Sequence, residues 1–166
     1  MNFLESMNER KIGIIDYGIG SSFSLINSLA SLNEDCKICK SSKEICQYDY
    51  LILPGVGNFK SAMKLINAGG WDLEIKKFCA NRKKRFLGIC LGFQLLFEYS
   101  SESNPIVKGL SILKGNITEL KSGHNIRIPH IGWNNIKIIK KGDFLNNSLG
   151  DVDLYFVHSY AFCQSQ

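Results

Sequence analysis

FLGICLGFQL, residues 86–95, decides how the rest of the chain is read. A short apolar run ends on Cys90, with Gly88 on one side of it and Gly92 on the other. A cysteine that only fills a core needs no such framing. A strand that must turn sharply into a helix does, because a glycine at each flank removes the side chain that would collide across the turn. G-x-C-x-G between a strand and a helix has the form of a nucleophile elbow with Cys in place of Ser. Such a turn lifts its side chain out at the carboxyl ends of the strands, where open α/β sheets place their sites. The helix expected to begin near Leu91 aims its N–H groups and positive end at Cys90, which favours thiolate over thiol. The Leu91 N–H is also placed to face an oxyanion.

Upstream, KIGIID (11–16) reads as a buried parallel strand that ends in a polar residue and glycines. SSFSLINSLASL follows, with Phe23, Ile26, Leu29 and Ala30 at helical spacing and Ser21 or Ser22 as N-cap. Strands are expected over 36–40 and 50–53, helices over 60–68 and 72–82, a fourth strand at FLGIC, and a helix over GFQLLFEYS. Strand and helix in alternation, with short connections, predict an α/β fold: a mostly parallel central sheet flanked by helices. From about Gly109 the texture changes to alternating, β-rich segments (GLSILKGNITELK, RIPHIGWNNIKIIK, DLYFVHSYAFCQ). These predict added strands, some antiparallel, on the same sheet.

The 166 residues, 45% apolar and 21% charged, suit one soluble domain over 11–166 after a short tail at 1–10. No apolar run approaches the roughly 20 residues of a membrane span, and no signal-peptide core is present, so a cytoplasmic home is expected. The net charge of +5 includes one run, Arg82-Lys83-Lys84-Arg85, placed where a last helical turn would be complemented by cations. No interleaved aromatics or binding motif accompany it, so nucleic acid is not an expected partner. Six cysteines in such a chain are read as reduced thiols. Cys36 and Cys39 form a C-x-x-C, but EDCKICK alternates like a strand, and no metal site is assigned to it.

Pro54-Gly55-Val56-Gly57 follows the third strand and should share a rim with the elbow. A glycine-rich turn lets backbone N–H groups approach a reacting carbonyl, and two such donors make an oxyanion hole.

Together GICLGFQLLFE, LPGVGNF, PHIGWN, YFVHSY and the opening IIDYGIG resemble the class I (triad-type) glutamine amidotransferases, with a flavodoxin-like sheet. Within that class they resemble the glutaminase subunits of imidazole glycerol phosphate synthase, over about Lys11 to Tyr160. The resemblance implies that Cys90 attacks the carboxamide of glutamine and that Val56 or Gly57, with Leu91, supplies the oxyanion N–H groups. It implies that Gln94 helps hold the substrate, that Glu102 meets its α-amino group, and that the backbone of Ser159 and Tyr160 grips its amino-acid end. Pro129, Trp133 and Asn134 belong to the stretch that faces a (β/α)8-barrel synthase subunit, the other half of a heterodimer in histidine biosynthesis. No cofactor is implied.

Two departures bear on these expectations. The family's general base lies in a His-x-Glu, and none of the three histidines here (His124, His130, His158) has that context. His158 reads instead as a strand residue packed near the site. The 166-residue chain is therefore expected to turn over glutamine negligibly. DYGIGSS also lacks the asparagine that commonly follows the glycine. Two alternatives stay open: a paralogous glutaminase feeding sugar amidination in surface-polysaccharide synthesis, and a catalytically dead subunit that only docks on a barrel protein.

Overall fold

A computed structural model describes residues 10–121, 127–138 and 152–162. The expected tail thus lies outside the described residues except for Arg10, as does His124. The chain divides into two compact units, one formed up to Thr118 and again from Phe162, the other by Glu119–Ala161.

The first unit is built on a parallel sheet of four strands, β1 (Ile12–Ile15), β2 (Cys36–Cys39), β3 (Tyr50–Leu53) and β4 (Arg85–Gly88), in the order β2-β1-β3-β4. Ile14 lies beside Ile38 on one side and Ile52 on the other, and Ile52 lies beside Leu87. Ile14, Ile15 and Leu53 are fully buried, as expected of inner parallel strands covered on both faces. β4 departs from the expected buried strand. It is outermost in this sheet, and Phe86, Leu87 and Gly88 are only half-buried.

Helix α1 (Ser22–Ser31) buries Ser22 and half-buries Leu25, Ile26 and Leu29, a face at i, i+3, i+4 and i+7. Phe23, read from the sequence as part of the apolar set, points outward at 77% exposure. Helix α2 (Phe59–Ala68) starts where Asn58 Oδ1 accepts from Ser61 N–H at 3.2 Å, and it buries Phe59, Ala62, Met63 and Ile66. Helix α3 (Trp71–Ala80) buries Trp71, Ile75 and Phe78.

Because α3 stops at Ala80, Arg82, Lys83 and Lys84 form the turn into β4, which Arg85 begins, rather than a last helical turn. Lys84 folds back there. Its ammonium donates to Asp49 Oδ1 at 2.9 Å and to the Tyr48 carbonyl, while Lys11 N–H donates to Asp49 Oδ2 at 3.2 Å. The Lys84 hydrogen bond, then that of Lys11, holds the Asp49 carboxyl below the usual carboxylate range.

The helix expected over GFQLLFEYS is one turn long, α4 (Leu91–Gln94). Its continuation is intercepted. The carbonyls of Leu95, Leu96 and Phe97, which a longer helix would use internally, accept instead from the N–H groups of Leu110, Ile112 and Ser111 at 2.8–3.1 Å. Short strands follow. β5 (Tyr99–Ser100) pairs antiparallel with β6 (Val107–Lys108) and parallel with β7 (Asn116–Glu119). They form a sheet apart from the first, so the later strands do not extend the parallel sheet as the sequence suggests.

The second unit carries an antiparallel pair, β8 (His130–Ile136) and β9 (Val152–His158), in the register His130 opposite His158 and Trp133 opposite Tyr155. Strand β10 (Tyr160–Phe162) leads the chain back to the first unit. No helix among the described residues is long and apolar enough to cross a membrane.

Candidate active site

Cys90 stands between β4 and α4 with φ 54° and ψ −118°, in a region that a residue with a β-carbon rarely occupies. Backbone strain of this kind costs on the order of 1–3 kcal/mol and persists where the surroundings impose it. The surroundings here are the two glycines. A β-carbon on Gly88 would stand 2.5 Å from Phe93 Cα, and one on Gly92 would overlap the carbonyl of Leu53 at the end of β3. The turn is held by Gly92 N–H to Ile89 O at 2.9 Å and by Phe93 N–H to Cys90 O at 3.0 Å. The thiol itself is exposed. Leu91, the first residue of α4, has no intrahelical acceptor for its N–H.

The glycine-rich loop reaches the elbow. A β-carbon on Gly55 would lie 2.6 Å from Gly92 N, 2.9 Å from Leu91 Cβ and 3.0 Å from the Tyr17 hydroxyl. Gly20, in turn, packs on Pro54, with space for only a 3.3 Å contact. Thus IIDYGIG, LPGVG and GICLG, far apart in sequence, meet at one rim. Val56 is 54% exposed there, and Gly57 takes φ +86° with open space beside it.

Glu102 closes the other end of this loop. Its Oε2 accepts from Phe59 N–H at 2.6 Å, at the start of α2, and its own N–H donates to the Ser100 hydroxyl at 3.2 Å. A carboxylate at a helix N-terminus is favoured by the orphan N–H groups and the dipole. Gln94, one turn after Cys90, is half-buried, and its N–H donates to the Cys90 carbonyl at 3.2 Å. Cys90, Leu91, Gln94, Val56, Gly57 and Glu102 therefore all belong to the first unit.

Tyr17 is the site feature that sequence reasoning passed over. Its hydroxyl is buried with no hydrogen-bond partner among the described residues, and burial pushes its pKa up to about 12. The signal was present in IIDYGIG, since a tyrosine two residues past a buried strand falls on the sheet's carboxyl rim.

Other thiols differ from Cys90 in their surroundings. Burial raises Cys39 and Cys79 to about 11, the Glu44 carboxylate adding to the effect at Cys39. Cys36 is raised by burial and then by Asp35. Cys36 and Cys39 lie in β2 as the alternation predicts. No group of three or more His, Cys, Asp or Glu suited to a metal ion occurs among the described residues.

Ser159, Tyr160, Pro129, Trp133 and Asn134 belong to the second unit. Trp133 is 72% exposed, and its ring meets Tyr155 edge to face at 5.5 Å. As neighbours in a strand, Trp133 and Asn134 point to opposite faces of the ribbon. Pro129, after a cis peptide bond, precedes β8.

A thiol raised on a strained strand-to-helix turn beside a glycine-rich loop, on an α/β sheet, has the geometry of a nucleophile elbow. The family model for class-I glutamine amidotransferases matches residues 13–166, and the chain belongs to that family. It is 46% identical, over 149 residues, to the imidazole glycerol phosphate synthase subunit HisH of Caldanaerobacter subterraneus subsp. tengcongensis, covering 90% of this chain and 71% of that relative. It is 39% identical to the chloroplastic imidazole glycerol phosphate synthase hisHF of Arabidopsis thaliana, covering 93% of this chain and 26% of that larger protein. Among solved structures, a glutamine amidotransferase crystal structure matches with a TM-score of 0.70 at 18% identity, covering 92% of this chain and 74% of the other. The structure of PurLQS from Thermotoga maritima matches at 0.65 and 19%, covering 93% and 70%. These two likenesses show the fold.

Proposed function

We propose that this chain is the glutaminase subunit of an imidazole glycerol phosphate synthase, with Cys90 as its nucleophile. The observation that carries the reading is the contact of the Gly55 loop with the Leu91-Gly92 edge of the elbow, which gathers a thiol and two sets of backbone donors on one rim. The names of the relatives above favour histidine biosynthesis over the polysaccharide pathway. Residues 11–166 form one amidotransferase domain in this reading, working in the cytoplasm with a (β/α)8-barrel partner and no cofactor.

The thiolate of Cys90 adds to the side-chain carbonyl carbon of glutamine, and the carbonyl electrons move onto oxygen. The N–H of Leu91, with that of Val56 or Gly57, receives this oxyanion. Collapse expels the amide nitrogen, which takes a proton and leaves as ammonia, and a thioester remains on Cys90. Water then adds to the thioester, releasing glutamate and the thiol. Gln94 and Glu102 hold the substrate in this reading, Glu102 through the substrate's α-ammonium group, and the backbone of Ser159 and Tyr160 is assigned to its amino-acid end. Ammonia is mostly protonated in bulk water near neutral pH, so docking against the consuming barrel preserves it as a nucleophile. Pro129, Trp133 and Asn134 supply part of that docking face.

Proton transfer from a positioned base contributes about 10²–10⁴-fold to such reactions. The 166-residue polypeptide, without a His-x-Glu, is expected to release ammonia from glutamine at a negligible rate even with a barrel partner present. Its nucleophile is tested separately. Brief exposure to iodoacetamide should label Cys90 ahead of Cys36, Cys39 and Cys79, whose raised pKa values leave little thiolate at neutral pH. Glutamine, but not asparagine, should slow that labelling. Turnover near that of a full-length relative would overturn the first expectation, and preferential labelling of Cys36 or Cys39 would overturn the assignment of the nucleophile.

A further inference from the structure

Both carbonyls of the Ser159–Tyr160 segment are engaged within the second unit. Leu120 N–H donates to Ser159 O at 2.8 Å. His158 Nδ1 lies 3.1 Å from Tyr160 O. A carbonyl oxygen only accepts, so His158 Nδ1 carries the hydrogen, and in the neutral ring Nε2 is then an acceptor.

That requirement passes along the ribbon. His130, directly opposite on β8, places Nδ1 3.2 Å from His158 Nε2, so His130 Nδ1 is the donor. His130 Nε2 is left as an acceptor, and the amide nitrogen of Asn134 stands 3.1 Å from it. One assignment satisfies all three contacts with both rings neutral. The hydrogens run in a single direction, from Asn134 to His130, to His158, to the Tyr160 carbonyl. His130, Gly132 and Asn134 share a face of β8, opposite His158, Phe156 and Leu154. Phe156 stacks on the His130 ring with centroids 5.2 Å apart, which fixes the plane of that ring.

We infer that His130 and His158 are positioning residues, both held in the Nδ1–H tautomer, which tie the placement of Asn134 on β8 to the Tyr160 carbonyl. The link to substrate rests on the reading that Ser159 and Tyr160 hold the amino-acid end of glutamine. Trp133 and Asn134 are consecutive, so a partner that moves β8 through Trp133 moves the first donor of this chain as well. Neither ring touches the reacting atoms in this scheme; both act through the segment they hold.

Long-range ¹H–¹⁵N spectra of the 166-residue chain read the tautomers directly. Both rings are expected to show a protonated Nδ1 and a bare Nε2, and a protonated Nε2 on either ring overturns the inference. Asn134→Ala is expected to shift the His130 ring nitrogens; unchanged shifts overturn the link to β8. For the segment, the measure is the glutamine concentration that half-protects Cys90 from iodoacetamide. His158→Asn keeps a donor near the place of Nδ1, whereas His158→Gln moves it to the place of Nε2. The Gln variant should need about tenfold more glutamine, as loss of a part-buried hydrogen bond to a fixed carbonyl implies. The Asn variant should stay close to the native value. Equal losses in the two variants overturn the positioning role. Absence of any protection in the native chain overturns the glutaminase reading instead, and the tautomer spectra then decide this inference alone.

Discussion

The inner strands of the parallel sheet and the β8–β9 ribbon use similar residues to opposite ends. Ile14, Ile15, Leu51 and Leu53 lie at 0–1% exposure, locked between neighbours on each side. Ile131, Trp133, Tyr155 and Val157, just as apolar, stand 55–72% exposed along one face of the ribbon. Strand propensity is satisfied equally in both regions; burial is not. In the first region side chains make the fold, and in the second they are available to something else, since exposed apolar patches on soluble proteins tend to mark interaction sites.

The sharpest way to break that comparison is to add one methyl group in each region. Gly92→Ala puts a β-carbon onto the Leu53 carbonyl, so either β3 or the elbow must move. Overpacking against backbone is expected to cost more than about 3 kcal/mol, read as a loss of the cooperative urea transition. Gly132→Ala in the ribbon meets nothing within 4 Å and suffers only from its φ of +144°. That strain is worth about 1–3 kcal/mol. A mild effect of Gly92→Ala would mean that the loop is not seated on the elbow.

A smaller effect sharpens the role of the exposed face. Trp133→Ala removes a side chain 72% exposed, so unfolding free energy should change by no more than about 0.5 kcal/mol. Association with a barrel subunit should weaken by about 2 kcal/mol or more if Trp133 anchors the interface. A sharp drop in Tm with unchanged affinity would make Trp133 a packing residue and move the docking face elsewhere.

The smallest effect belongs to Asp49, which joins the starts of β1 and β4 through Lys11, Lys84 and the backbone. Its folded pKa is depressed, so its contribution is present above the unfolded value near 4 and is lost as pH falls through the folded value. The carboxylate is 46% exposed, and solvent screening keeps the contribution below about 1 kcal/mol. Asp49→Asn should flatten the pH dependence of stability below about pH 4, and an unchanged slope there would remove Asp49 from the balance.

The parallel sheet was legible because its code is local. IGII and YLIL are apolar runs closed by turn residues, and no other element fits them. The sharp turn at Cys90 was legible for the same reason, since its two glycines sit within two residues of it. What stayed hidden depended on distant partners. LLFEYS reads as helix by its own periodicity, yet the N–H groups of 110–112 take its carbonyls. Phe23 carries the right spacing for burial, but the buried face of α1 runs through Ser22 and Leu25 instead. The resemblance assigns Glu102 to an ammonium group, while its bond to the N–H of Phe59 rests on a contact no local pattern encodes. The His130–His158 pair required the register of β8 on β9, which alternation alone leaves undetermined.

The strand order β2-β1-β3-β4 also has a consequence for how the protein is made. β1 emerges first from the ribosome, yet it pairs with β3, whose last residue is Leu53, before the sheet can close around it. Parallel pairings of this kind form late because the intervening chain must be ordered first. Until then the edge of IGII that faces β3 is open even where β2 has paired with the other, and an apolar strand with an open edge is the type of segment that recruits other chains. Arg10 and Lys11 before it and Asp16 after it place charge at both ends of that segment, where gatekeeper residues oppose aggregation during synthesis.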